Sequence, residues 1–254
     1  MSALIKKENT EIATPIHSAP LEGFEDYTAE DISIPIITLL QSSSEMVKKG
    51  LAKLGDFQDS VSGMILGNKI EVIILRIRNG AIYFDRKKNP KSFVCRSINQ
   101  INNLNGDLCA KCPHDANFNQ WIDGQPPKCA ASKEFLCVLA SSVETGNPYP
   151  VWLSFKKTSY GIGKQLASKN HALCHRLGVP AYGHTWVISS KEEANSKGDF
   201  MNYVLEAGRQ LNDQERATAR NFWLMVKDLD MLQSPLIADP VEAIEVDSDI
   251  VQDV

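Results

Sequence analysis

The residues best suited to chemistry in this sequence are its six cysteines, five of which lie between positions 95 and 137. Cys109-Ala-Lys-Cys112 is a CxxC pair, and two thiolates at this spacing can bind the same tetrahedral metal ion. Cys95 precedes the pair by 14 positions and Cys129 follows it by 17. The intervening sequence is rich in Asn, Gly and Pro and too poor in apolar residues to build its own core, a deficit that zinc can offset. We therefore predict one closed structural zinc site per chain, formed by Cys95, Cys109, Cys112 and Cys129.

Other assignments of the cysteines stay open from the sequence. His114 or Cys137 could replace Cys129 as the fourth ligand, although Cys137 lies in a run, EFLCVLA, that is typical of a buried strand. The CxxC pair could instead be a redox dithiol, but it lies in a polar loop and does not open a helix after a strand. Disulfides are not expected, because the sequence begins with no recognisable secretory signal. Cys174 lies in a helical pattern and is expected to be inert.

Charge is distributed unevenly along the chain, whose 254 residues carry a formal net charge of −4. Residues 1–45 contain two Lys and eight Asp or Glu, and residues 238–254 contain six Asp or Glu and no Lys or Arg. The remaining body, residues 46–237, therefore has a balance of +8. A basic body between acidic ends favours a partner that is a polyanion. No run approaches the roughly 18 apolar residues of a membrane span, so no membrane partner is expected.

Cations and aromatic rings that could hold a nucleic acid occur together at two places in the chain. Arg76 and Arg78 alternate along KIEVIILRIR, so we expect both guanidinium groups on one face of a strand. The second group follows YPVWLSF, where a strand runs into a basic helix. Single-strand binding needs cations that follow phosphates and rings on which bases stack. Each aromatic could equally be a core residue and each Lys a solvated one, so the prediction rests on the ensemble. The predicted nucleic-acid-binding residues are Arg76, Arg78, Tyr83, Arg86, Trp152, Lys156, Lys157, Tyr160 and Lys164.

Motifs of the common enzyme classes are absent from the sequence. It contains no GxxxxGK[ST], no GxGxxG after a strand, no HExxH and no GxSxG. The HxE…PCxxC pattern of zinc deaminases is also missing. These absences lead us to expect a binding protein and not an enzyme.

The pattern of apolar residues and turn residues predicts three regions. Residues 1–30 are expected to form an extended or disordered arm, residues 31–233 a single domain that contains the zinc loop 95–129, and residues 234–254 an acidic disordered tail. Within the domain, residues 69–78 and 81–86 are predicted to be strands joined by a type I′ turn at Asn79-Gly80. Further predicted elements are strands 134–142 and 149–155, helix 158–177, a hairpin of 184–192 with 199–208, and helix 212–232.

This order predicts a mostly β protein with two helices, of the α+β class. It fits an OB-fold-like Greek-key barrel, in which a helix lies between the early strands and a final hairpin, with an inserted four-cysteine zinc loop and a C-terminal helix. The alternative is an α+β sheet with both helices on one face.

Three features together resemble the single-stranded-DNA-binding proteins of tailed bacteriophages, in which a zinc element interrupts an OB-fold. They are the cysteine spacing, the sequence VWLSFKKTSYGIGKQL at residues 151–166, and the acidic C-terminus ADPVEAIEVDSDIVQDV. The resemblance implies single-stranded DNA as the partner, a role in replication or recombination, contacts with replication or recombination proteins through the acidic tail, and the host cell cytoplasm as the location. Two alternatives remain: a recombination mediator or annealing protein, and a zinc-containing interaction module of the virion or the transcription machinery.

Overall fold

A computed structural model describes residues 34–83, 93–112, 114, 122, 127–195 and 198–227. The chain divides into two compact units, residues 1–32 and 33–254, and every described residue belongs to the second. The predicted arm 1–30, the tail 234–254 and Arg86 lie outside the described residues. No helix of the described part is long and apolar enough to cross a membrane.

The described part of the chain is mainly β. The strands are β1 (Ile36–Leu39), β2 (Phe57–Asp59), β3 (Ile65–Gly67), β4 (Lys69–Tyr83), β5 (Cys95–Ser97), β6 (Cys129–Leu139), β7 (Pro150–Lys156), β8 (His184–Asn195) and β9 (Gly198–Gln210). The helices are α1 (Glu45–Lys48), α2 (Ala140–Glu144), α3 (Tyr160–Leu177) and α4 (Asp213–Val226).

These strands form one curled, half-barrel sheet in the order β3-β2-β1-β7-β6-β4-β8-β9, with β5 pairing beside β4. Strand β4 is the central element, because it pairs with β6, β8 and β5. All pairings are antiparallel except that of β1 with β7. Helix α3 connects β7 to β8. The predicted α+β, barrel-like class is confirmed at this level.

The sheet buries apolar side chains on both faces. On the inner face, Val72 and Phe135 pack with Leu166 of α3. On the outer face, Leu136 and Trp152 pack with residues of α4. The two helices therefore cover opposite faces, and the alternative that placed both on one face is wrong.

The largest departure from the sequence prediction lies in β4. Residues 69–83 form one uninterrupted strand, so the predicted type I′ turn at Asn79-Gly80 is wrong. Asn79 pairs with Lys133 and Gly80 pairs with Ser132. A Cβ atom at Gly80 would collide with Ser132 Oγ and lie 2.8 Å from Glu134 Oε1. Glycine is needed here for close strand packing and not for a turn.

The predicted ends of the two long helices are largely confirmed. Helix α3 ends at Gly178, which adopts the left-handed conformation with φ 64°. Helix α4 starts after Asn212, whose side chain accepts a hydrogen bond from the backbone N–H of Glu215 while the Glu215 carboxylate accepts one from the Asn212 N–H. The described helix stops at Val226, earlier than the predicted residue 232.

Replacing Gly80 with Ala tests the uninterrupted strand. We expect Gly80→Ala to lower the free energy of unfolding by about 1–3 kcal/mol, the usual cost of overpacking. Urea denaturation measures the change. Gly146→Ala, at a positive-φ position with open space around it, is a control that loses stability through backbone strain alone. Adding Ser132→Gly to Gly80→Ala should restore part of the loss, whereas no recovery would contradict the proposed collision.

Candidate nucleic-acid interface

Four of the predicted binding residues share the outer face of the sheet. Cross-strand partners lie on the same face, and Arg76 is opposite Leu136, which is opposite Trp152. Two residues further along, Arg78 is opposite Glu134, and Gly80 connects through Ser132 to Lys156. The prediction that Arg76 and Arg78 share a face is confirmed. A β-bulge at Leu75 sets this phase, because Ile73, three residues before Arg76, also belongs to the outer cluster.

Arg78 is held by a salt bridge and a ring contact. Its side chain is 10 % exposed, and Nε donates a hydrogen bond to the Glu134 carboxylate. The guanidinium carbon lies 4.1 Å from the centroid of the Trp152 ring, a close cation–π contact. Trp152 itself is 6 % exposed within the outer cluster. The ring therefore acts as a core residue here, and a nucleobase could stack on it only after Arg78 or neighbouring core residues moved away.

The Glu134 carboxylate is surrounded by cations. Arg96 Nη2 lies 3.9 Å from Glu134 Oε2, and Ser132 Oγ donates a 2.9 Å hydrogen bond to Oε1. Burial alone would raise the pKa of Glu134, but Arg78, Arg96 and Lys156 hold it below its ordinary value. Burial, together with the positive charges of Arg96 and Arg76, lowers the pKa of Arg78.

We call Arg76, Arg78, Arg96, Lys156 and Glu134 the arginine cluster. Its four cations and one carboxylate give a formal charge of +3, and Arg78, Arg96 and Lys156 act directly on the carboxylate. The sequence reasoning missed Arg96 and Glu134. Glu134 could have been found from the sequence, because it is the single carboxylate at the start of the apolar run EFLCVLA. A carboxylate that is buried in such a run needs a cationic partner.

Arg76 also contacts helix α4. Its Nη1 donates a 2.8 Å hydrogen bond to the backbone carbonyl of Val226, the last residue of the helix. Carbonyls at a helix C-terminus lack partners within the helix and carry partial negative charge, so a guanidinium is a favourable cap. Arg76 thereby joins the arginine cluster to the end of α4.

Lys157, Tyr160 and Lys164 lie at the turn from β7 into α3. Lys157 is exposed and adopts φ 47°, a left-handed conformation that is uncommon for residues other than Gly, Asn and Asp. The other described non-glycine residue with positive φ is Gln100, whose Nε2 donates a 2.7 Å hydrogen bond to the carbonyl of Gly80 beside the arginine cluster. Lys164 Nζ lies 5.2 Å from the centroid of the Tyr160 ring. Strained backbone of this kind is often retained at functional sites.

Tyr83 does not join the arginine cluster. It lies on the opposite face of β4, in register with Cys95 on one side and Cys129 on the other. Its ring centroid is 5.8 Å from that of His114. The predicted set therefore splits into an outer-face group and a separate position on the inner face.

The four cysteines predicted to bind zinc lie around Tyr83 and the loop after β5. Burial and the nearby Cys112 and Cys109 thiols raise the pKa of Cys95, which places these three thiols within electrostatic reach of one another. Cys129 is two strands away from Cys95 across Tyr83, about 9–10 Å at the usual strand spacing. Among the described residues, no three Cys, His, Asp or Glu side chains are close enough to hold one metal ion. Zinc binding stays a prediction.

The two remaining cysteines are buried. Cys137 is fully enclosed in the inner core, and burial raises the pKa of its thiol. It is eight residues along β6 from Cys129, about 26 Å at the rise of an extended strand, so it is not an alternative fourth ligand. Cys174 lies in α3, as its helical pattern predicted, and it is buried.

The fold and the cluster define a mainly β, barrel-like protein with a strongly cationic patch on the outer face of its sheet. The model of the Pam3 phage gp34-like protein family matches residues 7–231, so the chain belongs to this phage protein family. No curated protein and no solved structure matches the sequence.

Removing the charge of Glu134 tests how the cluster is balanced. We expect Glu134→Gln to lower the free energy of unfolding by about 3–5 kcal/mol, because Arg78 would stay buried without a counter-charge. Chemical denaturation at pH 7 measures the loss. Glu45→Gln, which breaks an exposed pair with Lys49, should cost no more than about 1 kcal/mol.

The difference in the free energy of unfolding between wild type and Glu134→Gln should depend on pH. The pKa of Glu134 is lower in the folded protein than its ordinary value of 4.5, so its contribution to stability is complete above 4.5 and is lost as the pH falls from that value through the lower folded-state pKa. The stability difference between wild type and Glu134→Gln should therefore shrink below about pH 4.5. If the stability difference between the two proteins stayed constant with pH, the ion pair between Arg78 and Glu134 would be contradicted.

Proposed function

We propose that the protein binds single-stranded nucleic acid, with single-stranded DNA in the host cell cytoplasm as its main partner. The observation that carries the proposal is the arginine cluster, in which four cations and one carboxylate give a formal charge of +3 on one face of the sheet. A patch of this formal charge attracts a polyanion, since phosphates bind cations and release their own counterions on binding.

The order of the strands supports an OB-fold assignment. Strands β4, β6 and β7, helix α3 and strands β8 and β9 follow one another as strand, strand, strand, helix, strand, strand. Strand β4 pairs with both β6 and β8, as the first strand of an OB-fold does, and residues 84–128 are an insertion between the first two strands. In this assignment the arginine cluster lies on the face of the second and third strands, which binds oligonucleotides in OB-folds.

The binding path that we propose runs from the arginine cluster around the end of β7 to the start of α3. Arg76, Arg96 and Lys156 would contact phosphates on the sheet, and Lys157 and Lys164 would continue the contacts on the turn and helix. Tyr160 is the stacking ring on this path, because it is partly exposed and next to Lys164. The whole stretch from residue 145 to residue 191 contains six Lys or Arg and no Asp or Glu, so no carboxylate of this stretch repels a phosphate.

A second function is supported by the loop after β5. Ile101 is 61 % exposed and Leu108 is 48 % exposed. Exposed aliphatic residues in one segment are typical of a protein-binding surface. The alternative of an interaction module therefore remains as a contact made by this loop, and it is compatible with nucleic-acid binding elsewhere.

Replacing Lys157 with Gly tests nucleic-acid binding without a loss of folding stability. We expect Lys157→Gly to leave stability unchanged or higher, because glycine adopts positive φ without a steric cost. The same variant should weaken binding to a single-stranded oligonucleotide and reduce the slope of log affinity against log salt by about 0.7, the loss of one phosphate contact on a single strand. Fluorescence anisotropy at several salt concentrations measures both quantities.

Lys48→Ala, an exposed lysine on α1 outside the proposed path, is the matched control and should leave the slope unchanged. Duplex DNA and single-stranded RNA of the same sequence establish which partner is preferred, and a strand-annealing assay identifies an annealing protein. Wild-type affinity in Lys157→Gly combined with Arg76→Ala would overturn the path.

We also propose that one zinc ion per chain binds to Cys95, Cys109, Cys112 and Cys129. The donor set favours zinc, since the CxxC pair and Cys95 are neighbours and Cys129 lies on the same face of the sheet. Closing the site requires the four thiols to move closer together, because no three of the described Cys, His, Asp or Glu side chains are close enough to hold one metal ion.

Elemental analysis of the purified protein should find about one zinc per chain, and X-ray absorption spectroscopy should find four zinc–sulfur distances of about 2.3 Å. Cys112→Ser should lose the metal and lower the melting temperature, whereas Cys174→Ser should keep the metal. A metal-free native protein, or a Cys109–Cys112 disulfide, would contradict the site.

The acidic C-terminus should weaken binding to nucleic acid. Deleting residues 238–254 changes the formal net charge from −4 to +2. We expect the truncated chain to bind a single-stranded oligonucleotide more tightly, with the largest gain at low salt, where charge repulsion is least screened. Equal affinities at low salt would show that the segment neither blocks nor repels the oligonucleotide.

A further inference from the structure

An apolar groove of about 390 Å³ lies between α3 and the β8–β9 hairpin. Leu173, Trp186 and Leu205 form its floor, and Lys169 and Arg176 lie along it on the helix side. The volume is at the lower end of the range of ligand sites and holds about a dozen waters at liquid density. Strand β9 is the last strand of the described sheet, so the groove runs beside a sheet edge that no other described strand covers.

The two cations of the groove have no acidic neighbours on α3. Lys169 and Arg176 are seven residues apart, which places them on the same helix face about 10 Å from each other. Both are exposed, and neither forms an ion pair with a described residue. The groove therefore combines an apolar floor with two unneutralised positive charges, and it fits a ligand that is apolar on one side and acidic on the other.

The C-terminal sequence of the chain has this chemistry. From Glu242 to Ile250, the sequence EAIEVDSDI alternates aliphatic or small residues with carboxylates. In an extended conformation Ile244, Val246 and Ile250 would point to one side, and Glu245, Asp247 and Asp249 to the other. Residues 238–254 contain six carboxylates and no cation, so they complement the groove in both charge and pattern.

The chain is long enough to reach the groove. Twenty-seven residues follow Lys227, the last described residue, and an extended chain spans at most about 3.3–3.6 Å per residue. The segment between residue 227 and residue 244 can therefore cover about 55–60 Å. This exceeds the diameter of about 45 Å expected for a compact domain of this size.

We propose that residues 238–254 bind in the groove between α3 and β9 of their own chain. The aliphatic side chains of the segment lie on Leu173, Trp186 and Leu205, and its carboxylates face Lys169 and Arg176. This assignment needs no nucleic acid and does not depend on the proposed function.

Backbone NMR relaxation of the full-length chain, without nucleic acid, tests the proposal. Docking predicts order parameters above about 0.6 for residues 244–250, the range of partly or fully ordered backbone. The double variant Lys169→Glu with Arg176→Glu should bring them below this value. A second variant, Ile244→Ser with Val246→Ser and Ile250→Ser, keeps every charge and should also release the segment, because the apolar contacts are lost.

The matched control is the double variant Lys157→Glu with Lys164→Glu. It makes the same change in net charge, but both substitutions lie outside the groove. Order parameters below 0.6 in the wild type, or equal release in this control, would overturn the proposal. Release on dilution of the wild type would also overturn it and would assign the groove to the C-terminus of a second copy. Failure to bind oligonucleotides would contradict only the proposed function.

Discussion

The register of strand β4 is the constraint on which the rest of the structure depends. This strand has 15 residues and pairs with β6 over most of its length, with β8 at its start and with β5 at its end. A shift of one residue would exchange the two faces of the sheet along the whole strand. The β-bulge before Arg76 makes such an exchange locally, because Ile73 and Arg76 lie on the same outer face although they are three residues apart.

The bulge explains how apolar and cationic residues can follow each other on one face. Before it, the outer side of β4 is covered by α4 and is apolar. After it, the outer side carries Arg76 and Arg78. The last residue of helix α4, Val226, accepts a hydrogen bond from Arg76. The cations thus begin where the helical cover stops. The buried Glu134 makes this arrangement tolerable, since it balances part of the repulsion between neighbouring guanidinium groups.

Much of the fold could be predicted from local patterns in the sequence. Alternating apolar residues identified most strands, and Asn212 and Gly178 marked helix ends because their roles depend only on nearby backbone. Asn79-Gly80 misled because the same dipeptide suits a tight turn and a crowded strand, and only the side chains of β6 decide between them. The shared face of Arg76 and Arg78 followed from strand alternation. Their partners could not be predicted, since Glu134 and Arg96 lie on other strands whose register is not encoded locally.

The parallel pairing of β1 with β7 has a consequence for the kinetics of folding. Ile36 is in register with Trp152, a separation of 116 positions along the chain, and only two residue pairs hold the strands together. Closing a loop of this length costs about 4 kcal/mol of chain entropy, against a small gain in contacts. By contrast, β8 and β9 are joined directly and can form early. Strand β1 should therefore be the last to acquire protection from hydrogen exchange during refolding, and the edge of β7 that it covers stays open until then.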